Sequence, residues 1–558
     1  MNTCPQEHRR DTCRRLTRDL FDVVIIGGGI TGASIARDAA LRGYRVALLE
    51  QDDLAYGTSS RSSRLVHGGL RYLEMGQLGL VFESVSERAA LARLARHIVR
   101  PLPFVFPVYQ GDGLPLFAVD FGLWIYDGLA LFRNYENHSK LSAAEVGEVL
   151  PGLNAEGLKG AVRYYDYQTD DARLVLENAL GAMEAGAEVL PRCRVEKLDY
   201  RRGRIVQVLA RDRITDEQFT VRGRVFICAA GPWTDEVLAL SQRPEGWMRP
   251  AKGVHIVVPK SRLPVDEALL VKHPEDGRVL FILPYHERTV IGTTDTDSHE
   301  DPGALQASGE DVRYLLATAH AYFPASKLTP EDVISNWIGV RPLLQEEDEG
   351  APSSVSREHK IHVRSDNLVV IAGGKLTTYR RMAAECLDQA ERPIIMAGGP
   401  IPRGKGLTSS LPLPGSVGLE ADHDLSKMIA DLGREVGDAA VGEHLALTYG
   451  VRARQVIDLA TDELCKRVDA ELPFIWAEII FAARFELACA LEDVLKRRTH
   501  IFYRSRDQGL SIAARVSELL AQELGWDDVE RREQLNAYQA LVAESRAWRD
   551  DPCFMEKL

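Results

Sequence analysis

A glycine-rich turn near the start of the chain has the spacing of a phosphate-binding site. It reads GGGITG, so that Gly27, Gly29 and Gly32 occupy the fixed positions of G-x-G-x-x-G. In such a motif the first glycine allows a tight turn, the second lets the backbone approach a pyrophosphate, and the third lets helix and strand pack closely. The N–H groups of Ile30 and Thr31 would face the phosphates from the N-terminus of a helix. The turn therefore predicts a bound dinucleotide.

The elements around this turn predict a β-α-β unit. Residues 22–26 (DVVII) indicate a buried strand, residues 31–42 have a helical pattern, and residues 45–50 (RVALLE) indicate the next strand. Glu50 ends that second strand, 18 residues after Gly32, where a carboxylate would bind a ribose hydroxyl. A surface charge is the alternative interpretation of Glu50.

The segment after Glu50 favours FAD over a nicotinamide dinucleotide. Ser59 and Ser60 begin a run of small and polar residues that suits a segment lying along a large cofactor. The sequence contains no second glycine fingerprint that could hold a nicotinamide dinucleotide. A serine-rich surface loop would explain the serines, but it would not explain the cluster HGGLRY at 67–72.

Four separated motifs carry a resemblance to a known family. They are GGGITGASIARDAALRG (27–43), TSSRSSRLVHGGLRYLE (58–74), GVRPL (339–343) and AGGKLTTYRRMAAE (372–385). AAGPWTD (229–235), KGVHIVVP (252–259) and IGTTDTD (291–297) also fit that family. The chain resembles the FAD-dependent glycerol-3-phosphate dehydrogenases over about residues 21–385. The second and fourth motifs are the most specific.

The resemblance implies a reaction, an electron acceptor and a location. Members of the family oxidise sn-glycerol 3-phosphate to dihydroxyacetone phosphate and pass the electrons through FAD to a membrane quinone. They bind the membrane peripherally, so that we expect a cytoplasmic enzyme at the inner face of the cell membrane. The sequence leaves the oligomeric state open, with a homodimer as one possible assembly.

The resemblance also assigns substrate binding to cations in glycine-containing motifs. Arg71, Arg341 and Lys375 would hold the phosphate and the C1–C2 oxygens beside the flavin. Tyr72 would join them. A phosphate dianion needs fixed positive charge and several donors, which the planar guanidinium group supplies. Exposed or salt-bridged surface positions are the alternative for each cation.

Removal of a hydride from C2 also requires a base near the C2 hydroxyl. His67 and His255 are the candidates, because histidine titrates near neutral pH. Arg341 would stabilise the developing alkoxide. A structural histidine is the alternative in both cases, and the sequence does not decide which of the two is the base.

Two further stretches are predicted to contact the cofactor. The turn at Gly231 would bring the second half of the cofactor fold against the adenosine. In the motif at 372–385 a helix begins after the glycines, and its N–H groups would stabilise negative charge on the reduced ring. The residues concerned are Gly374, Lys375, Leu376, Thr377 and Thr378. An N-cap role for either threonine is compatible with this.

The pattern as a whole predicts an α/β fold. A Rossmann-like FAD-binding domain of the glutathione-reductase or D-amino-acid-oxidase type, with an interleaved antiparallel substrate sheet, would occupy residues 21–403. Residues 404–558 would form a C-terminal all-helical domain, in which residues 473–498 are one helix. Residues 1–20 would be a basic, flexible extension, with a membrane-contacting helix as the alternative.

Charge and composition argue against other classes. A net charge of −13 is unusual for a nucleic-acid binder. None of the eight cysteines has the spacing of a zinc site, so we expect no metal. No apolar run is long enough to span a membrane. Residues 114–132 come nearest, and we expect a buried segment there, with an edge resting on a bilayer as the alternative.

Three other functions stay open. A glycerol-3-phosphate oxidase would use the same substrate residues and return the electrons to oxygen. An amino-acid or amine oxidase of the same superfamily would need a carboxylate clamp but no phosphate site. A flavin-fold scaffold that binds a cofactor without turnover is the alternative outside enzymes.

Overall fold

The computed structural model describes residues 4–69, 76–113, 115–131, 134–298, 300–345 and 359–551. Its strands, in chain order, are β1 (Leu20–Ile26), β2 (Val46–Leu49), β3 (Leu65–Val66), β4 (Arg100–Tyr109), β5 (Ser139–Leu141), β6 (Leu158–Gln168), β7 (Glu188–Leu190), β8 (Cys193–Arg201), β9 (Arg204–Asp212), β10 (Gln218–Cys228), β11 (Met248–Pro259), β12 (Ala268–Lys272), β13 (Val279–Tyr285), β14 (Arg288–Gly292), β15 (Thr296–Asp297), β16 (Ser335–Leu344), β17 (His359–Val363) and β18 (Leu368–Gly373).

The α-helices are α1 (Pro5–Arg18), α2 (Ile30–Leu41), α3 (Leu78–Leu94), α4 (Leu116–Leu129), α5 (Ala143–Val149), α6 (Asp171–Glu184), α7 (Thr234–Ala239), α8 (Gly309–Tyr322), α9 (Tyr379–Met396), α10 (Asp422–Val436), α11 (Ala439–Tyr449), α12 (Ala453–Leu459), α13 (Ala477–Phe485), α14 (Ile501–Arg504), α15 (Leu510–Leu524) and α16 (Asp528–Arg546). A π-helix at Asp493–Arg498 precedes α14.

The first sheet is parallel at its centre. Strands β7, β2, β1, β10 and β18 lie side by side in parallel, and β17 pairs antiparallel at one edge. Strand β9 pairs antiparallel with β10, and β8 with β9. β1 is buried from Phe21 to Ile26, because both of its faces are covered. Helices α2, α6 and α9 contribute small and aliphatic side chains to the core on one face.

The second sheet is mainly antiparallel and has ten strands among the described residues. β16 runs along β11, so that Trp337 lies opposite His255 and Arg341 lies opposite Ala251. β14 pairs with the other side of β11. The predicted architecture, an FAD-binding α/β domain with an interleaved antiparallel sheet and C-terminal helices, is confirmed.

The C-terminal helices share a core with the second sheet. One buried cluster contains Leu102 and Trp337 from the sheet together with Leu495 and Phe502 from the C-terminal part of the chain. This contact removes apolar surface of both the second sheet and the C-terminal helices from water. The helices are therefore packed onto the rest of the molecule, while residues 425–485 also form a buried cluster of their own.

The expectation of a flexible N-terminal extension is wrong for the residues that the structure describes. α1 packs on the first sheet, and its Leu16 is fully buried. Arg9 Nη2 lies 2.7 Å from Asp212 Oδ1, and Arg9 Nη1 donates to the Pro191 carbonyl at 2.9 Å. Arg9 and Arg15 thus have partners far along the chain, Asp212 and Glu188, which local composition does not reveal.

The segment expected to be one helix at 473–498 is broken. α13 ends at Phe485, Leu487 has a φ of +58°, and a π-helix takes up Asp493–Arg498. A residue in the left-handed region cannot continue a right-handed α-helix. The apolar periodicity on both sides of this break resembles that of one continuous helix.

The prediction of a buried segment at 114–132 is wrong for one face of α4. Phe117, Phe121 and Trp124 are 72%, 66% and 57% exposed. Asp120 and Asp127 are buried instead, because they pair with Lys140 and His138, respectively. Among the helices that the structure describes, none has the length and apolar character needed to cross a bilayer.

Candidate active site

A cavity of about 1350 Å³ lies where the two sheets face each other. The carboxyl ends of β1, β2, β10 and β18 supply one side of its lining, and β4, β6, β11, β13 and β16 supply the other. In α/β folds the carboxyl ends of parallel strands are where ligands bind. The cavity is large enough for a dinucleotide and a small substrate.

The glycine-rich turn forms one end of this cavity. Gly27 has a φ of +113°, and a Cβ there would lie 2.5 Å from the Ala229 carbonyl oxygen. Gly29 is the N-cap of α2 and has no side chain with which to cap the helix. The Ile30 N–H donates a hydrogen bond to Ser59 Oγ at 3.0 Å. Gly32 lies behind the turn, where a Cβ would meet the Gly27 carbonyl oxygen at 1.9 Å. The geometry is that of a pyrophosphate cradle at a helix N-terminus.

Glu50 lies at the end of β2, beside this cradle. Its carboxylate accepts hydrogen bonds from the Gly28 N–H at 2.5 Å and the Asp52 N–H at 2.8 Å. Burial raises the pKa of Glu50 to about 7 in spite of these bonds. A buried carboxylate lining a cavity needs further donors, and ribose hydroxyls would supply them.

A second backbone cradle closes the other side of the cavity at residues 373–376. Gly373 and Gly374 have φ values of +77° and +87°, and Lys375 and Leu376 also line the cavity. Thr377 accepts a hydrogen bond from the His67 N–H at 3.2 Å and donates to the His67 carbonyl at 3.1 Å. This threonine therefore ties the His67 segment to the start of α9.

His255 is the most constrained of the candidate catalytic residues. Its Nε2 lies 2.8 Å from Ser63 Oγ, and its ring stacks on Trp337 with centroids 5.0 Å apart. Burial, together with the cations Arg341 and Arg64, lowers the pKa of His255 to about 3. The imidazole is thus neutral at physiological pH.

Arg341 extends from β16 into the same cavity. It forms an ion pair with Asp295, which also lines the cavity. Thr293 contributes a hydroxyl beside Gly253. Asp295, Thr293 and Ser63 were not among the predicted site residues, although the first two belong to IGTTDTD and the third to TSSRSSR.

Most of the predicted site residues are brought together. The cavity is lined by Gly27, Gly29, Ile30, Thr31, Glu50, Ser59, His67, Gly231, His255, Arg341, Gly374, Lys375 and Leu376. Four predicted cofactor contacts do not line it: Gly32, Ser60, Thr377 and Thr378. Neither threonine makes a side-chain capping bond at the start of a helix. Arg71 and Tyr72 lie outside the described residues.

The cradle, the buried carboxylate and the second glycine turn fit one extended dinucleotide. Residues 27–31 and Glu50 would hold its pyrophosphate and ribose, and residues 373–376 would hold its flavin ring. The fold and the cavity define the class as FAD-dependent oxidoreductases. A model of the FAD dependent oxidoreductase family matches residues 22–379, and a model described as the C-terminal domain of alpha-glycerophosphate oxidase matches residues 407–531.

Several known proteins are similar over the whole chain. An aerobic glycerol-3-phosphate dehydrogenase of Staphylococcus saprophyticus is 35% identical over 96% of this chain and 97% of its own length. One of Staphylococcus aureus is 34% identical over 100% of both chains. The crystal structure of a glycerol-3-phosphate dehydrogenase from Bacillus halodurans, complexed with FAD, matches with a TM-score of 0.81 at 29% identity, covering 98% of this chain and 99% of that one. The chain belongs to the FAD-dependent glycerol-3-phosphate dehydrogenase family, and its cofactor is FAD.

A further solved structure shares the fold alone. An L-alpha-glycerophosphate oxidase from Mycoplasma pneumoniae matches with a TM-score of 0.54 at 16% identity, covering 71% of this chain and 99% of that one. The described part of this chain contains no group of three or more histidine, cysteine or acidic residues placed to hold a metal ion.

Proposed function

We propose that this enzyme oxidises sn-glycerol 3-phosphate to dihydroxyacetone phosphate and passes the electrons to a membrane quinone. The observation that carries the proposal is the presence of Arg341 in the same cavity as His255 and the cradle at residues 373–376. The names of the relatives, which are aerobic glycerol-3-phosphate dehydrogenases, support this substrate.

Arg341 binds the phosphate group of the substrate. Its guanidinium group forms an ion pair with the carboxylate of Asp295. A phosphate dianion offers more charge and more acceptor oxygens to a planar guanidinium group, so it competes well for that partner. Lys375 lies within the same lining and adds a second cation. Arg71 and Tyr72 stay predictions as further substrate contacts.

FAD supplies the acceptor for the hydride from C2 when it is bound. His255 accepts the proton of the C2 hydroxyl, and Ser63 holds its ring in place. Burial and, after it, the cations Arg341 and Arg64 depress the pKa of His255, so a phosphate dianion bound at Arg341 would offset the part of this shift that the cations cause. Substrate binding therefore makes His255 a better base at the moment when a base is needed. His67 lines the cavity as well and stays the second candidate.

The exposed aromatic face of α4 supports a peripheral membrane location. Phe117, Phe121 and Trp124 recur at the helical spacing that places them on one face. On the neighbouring helix α3, Leu78 and Phe82 are exposed too. We call these five residues the apolar face. Apolar patches of this kind, rich in Phe and Trp, are typical of helices that lie in a bilayer interface.

The apolar face begins next to a cavity-lining residue along the chain. Gln77 lines the cavity and Leu78, the next residue, is already part of the apolar face. A lipid-dissolved quinone would reach the cavity from that side. The acceptor is tested by reducing the enzyme anaerobically with glycerol 3-phosphate and then adding either a short-chain quinone or oxygen. Fast reoxidation by the quinone and slow reoxidation by oxygen is the expected result; the reverse would make the enzyme an oxidase.

The membrane contact is tested by replacing Phe117, Phe121 and Trp124 with serine. We expect the triple variant to lose flotation with anionic phospholipid vesicles while it keeps its flavin and its activity with a water-soluble acceptor. The control replaces Met396 and Ile401, which are 67% and 72% exposed elsewhere, with serine. Equal loss of flotation in both variants, or no loss in the first, would contradict the proposed surface.

A further inference from the structure

A buried carboxylate joins the cofactor-binding loop to the C-terminal helices. Asp53 follows Glu50 by three residues and is fully buried. It accepts hydrogen bonds from Arg497 Nε at 2.5 Å and from Arg498 Nη1 and Nη2 at 2.6 and 2.8 Å. Burial alone would raise the pKa of Asp53, but Arg498 and Arg497 bring it down to about 2. Asp53 is therefore ionised at every physiological pH.

The two arginines belong to the π-helix at Asp493–Arg498. Its wide turn is closed by Thr499, whose N–H and hydroxyl both donate to the Val494 carbonyl, at 3.0 and 2.9 Å. Arg497 Nη2 is also held by Asp493 at 2.7 Å. π-Helical turns are rare in proteins and occur mostly at functional sites. Here the turn presents two consecutive side chains to one carboxylate.

Arg497 also contacts a residue that lines the cavity. Arg497 lies over the ring of Tyr56 at 5.4 Å, and Arg61 lies over the same ring at 5.1 Å. Tyr56 and Arg61 both line the cavity. The loop that carries Glu50 and Tyr56 is thus fixed from behind by residues of the C-terminal part of the chain.

A second connection lies at Arg64, eleven residues after Asp53. Arg64 is buried, and its Nη1 lies 3.2 Å from His500 Nδ1. Its guanidinium group also lies over the ring of Tyr503, at 5.6 Å. The preceding residue, Ser63, is the one that contacts His255. Arg497 and Arg498 therefore contact the loop after β2 through Asp53, and His500 and Tyr503 contact Arg64, the neighbour of Ser63.

We propose that Arg497 and Arg498 are positioning residues for FAD, acting through Asp53 on the loop that carries Glu50. Buried ion pairs add little net stability, because desolvation of the charges offsets their attraction. Three charge-assisted hydrogen bonds to one carboxylate do, however, fix its position closely. The C-terminal helices would then determine how tightly the ribose end of FAD is held.

The test is the rate of FAD release from the holoenzyme, followed by the rise in flavin fluorescence well below the unfolding temperature. Asp53→Asn is expected to release FAD at least tenfold faster than the natural enzyme. Arg498→Lys keeps the charge but loses the two-pronged contact, and we expect a smaller acceleration. The measurement needs no substrate, so it can fail independently of the proposed function.

The matched control is Glu523→Gln. It breaks the two-pronged contact of Arg484 with Glu523, at 2.5 and 2.7 Å, which lies in the C-terminal helices away from the cavity lining. We expect release at the natural rate in this variant, whatever happens to its unfolding temperature. An unchanged rate in Asp53→Asn, or equal acceleration in the control, would overturn the proposal. If Asp53→Asn does not fold, Arg498→Lys decides between the same two outcomes.

Discussion

Among the residues that line the cavity, Glu50 is the one whose ionisation should most directly affect the affinity for FAD. Its pKa of about 7 means that the carboxyl is partly protonated near neutrality before FAD binds. Ribose hydroxyls donate to the ionised form, so FAD binding must lower this pKa. By linkage, the affinity for FAD is full above about pH 7 and declines as the pH falls through that value.

We therefore expect the dissociation constant of FAD to rise by up to about tenfold for each pH unit below 7. Reconstitution of apoenzyme with FAD between pH 5 and 8 measures it. Glu50→Gln should bind more weakly at pH 8 and show a flat profile. A natural enzyme with no slope below pH 7, or a variant that keeps the slope, would show that Glu50 does not contact the ribose.

Arg341 should affect the substrate and leave the cofactor in place. Loss of a charged hydrogen-bonding partner for a phosphate typically costs several kcal/mol, so we expect Arg341→Ala to raise KM for glycerol 3-phosphate by about 100-fold. The flavin content should not change. Arg262, which pairs with Asp332 outside the cavity lining, is the control. Flavin loss with unchanged KM in Arg341→Ala would reassign Arg341 to cofactor binding.

Local sequence pattern is sufficient to predict the elements that form the glycine-rich cradle. The glycine turn, β1, α2 and β2 follow from short-range signals, and Gly27, Gly29 and Glu50 all line the cavity. Gly32 does not, because the third glycine of the motif serves the packing of the turn itself. The roles of Ser63 and Asp295 depend on contacts with residues about 190 and 50 positions away, which no window of sequence contains.

The packing of the N-terminal helix α1 also depends on contacts that local sequence does not predict, and this packing can be tested. Arg9 binds Asp212 and the Pro191 carbonyl, with most of its side chain buried. We expect Arg9→Ala to lower the free energy of unfolding by about 1–3 kcal/mol, because Asp212 is left without its partner. Arg14→Ala, on the same helix but 77% exposed, should change it by less than about 0.5 kcal/mol. Equal values in urea unfolding would mean that α1 does not pack as described.

The candidate active-site cavity lies between the two sheets, and the C-terminal helices pack outside it. The first sheet supplies the cradle for the dinucleotide, and the second supplies His255 and Arg341. The helices share a buried cluster with the second sheet and also contact the loop that follows β2. The cofactor and the proposed substrate site thus share the cavity between the sheets, whereas the proposed membrane contact lies on the exposed apolar face of α3 and α4.

The most direct test of the central claim is an anaerobic titration of the oxidised enzyme, in which the flavin absorbance near 450 nm, a band typical of oxidised flavins, is followed. Glycerol 3-phosphate should bleach it completely, with dihydroxyacetone phosphate formed in equal amount. Glycerol, which lacks the phosphate, and glycine, which would suit an amino-acid oxidase, should leave it unchanged. Bleaching by glycine, or none by glycerol 3-phosphate, would contradict the proposed function.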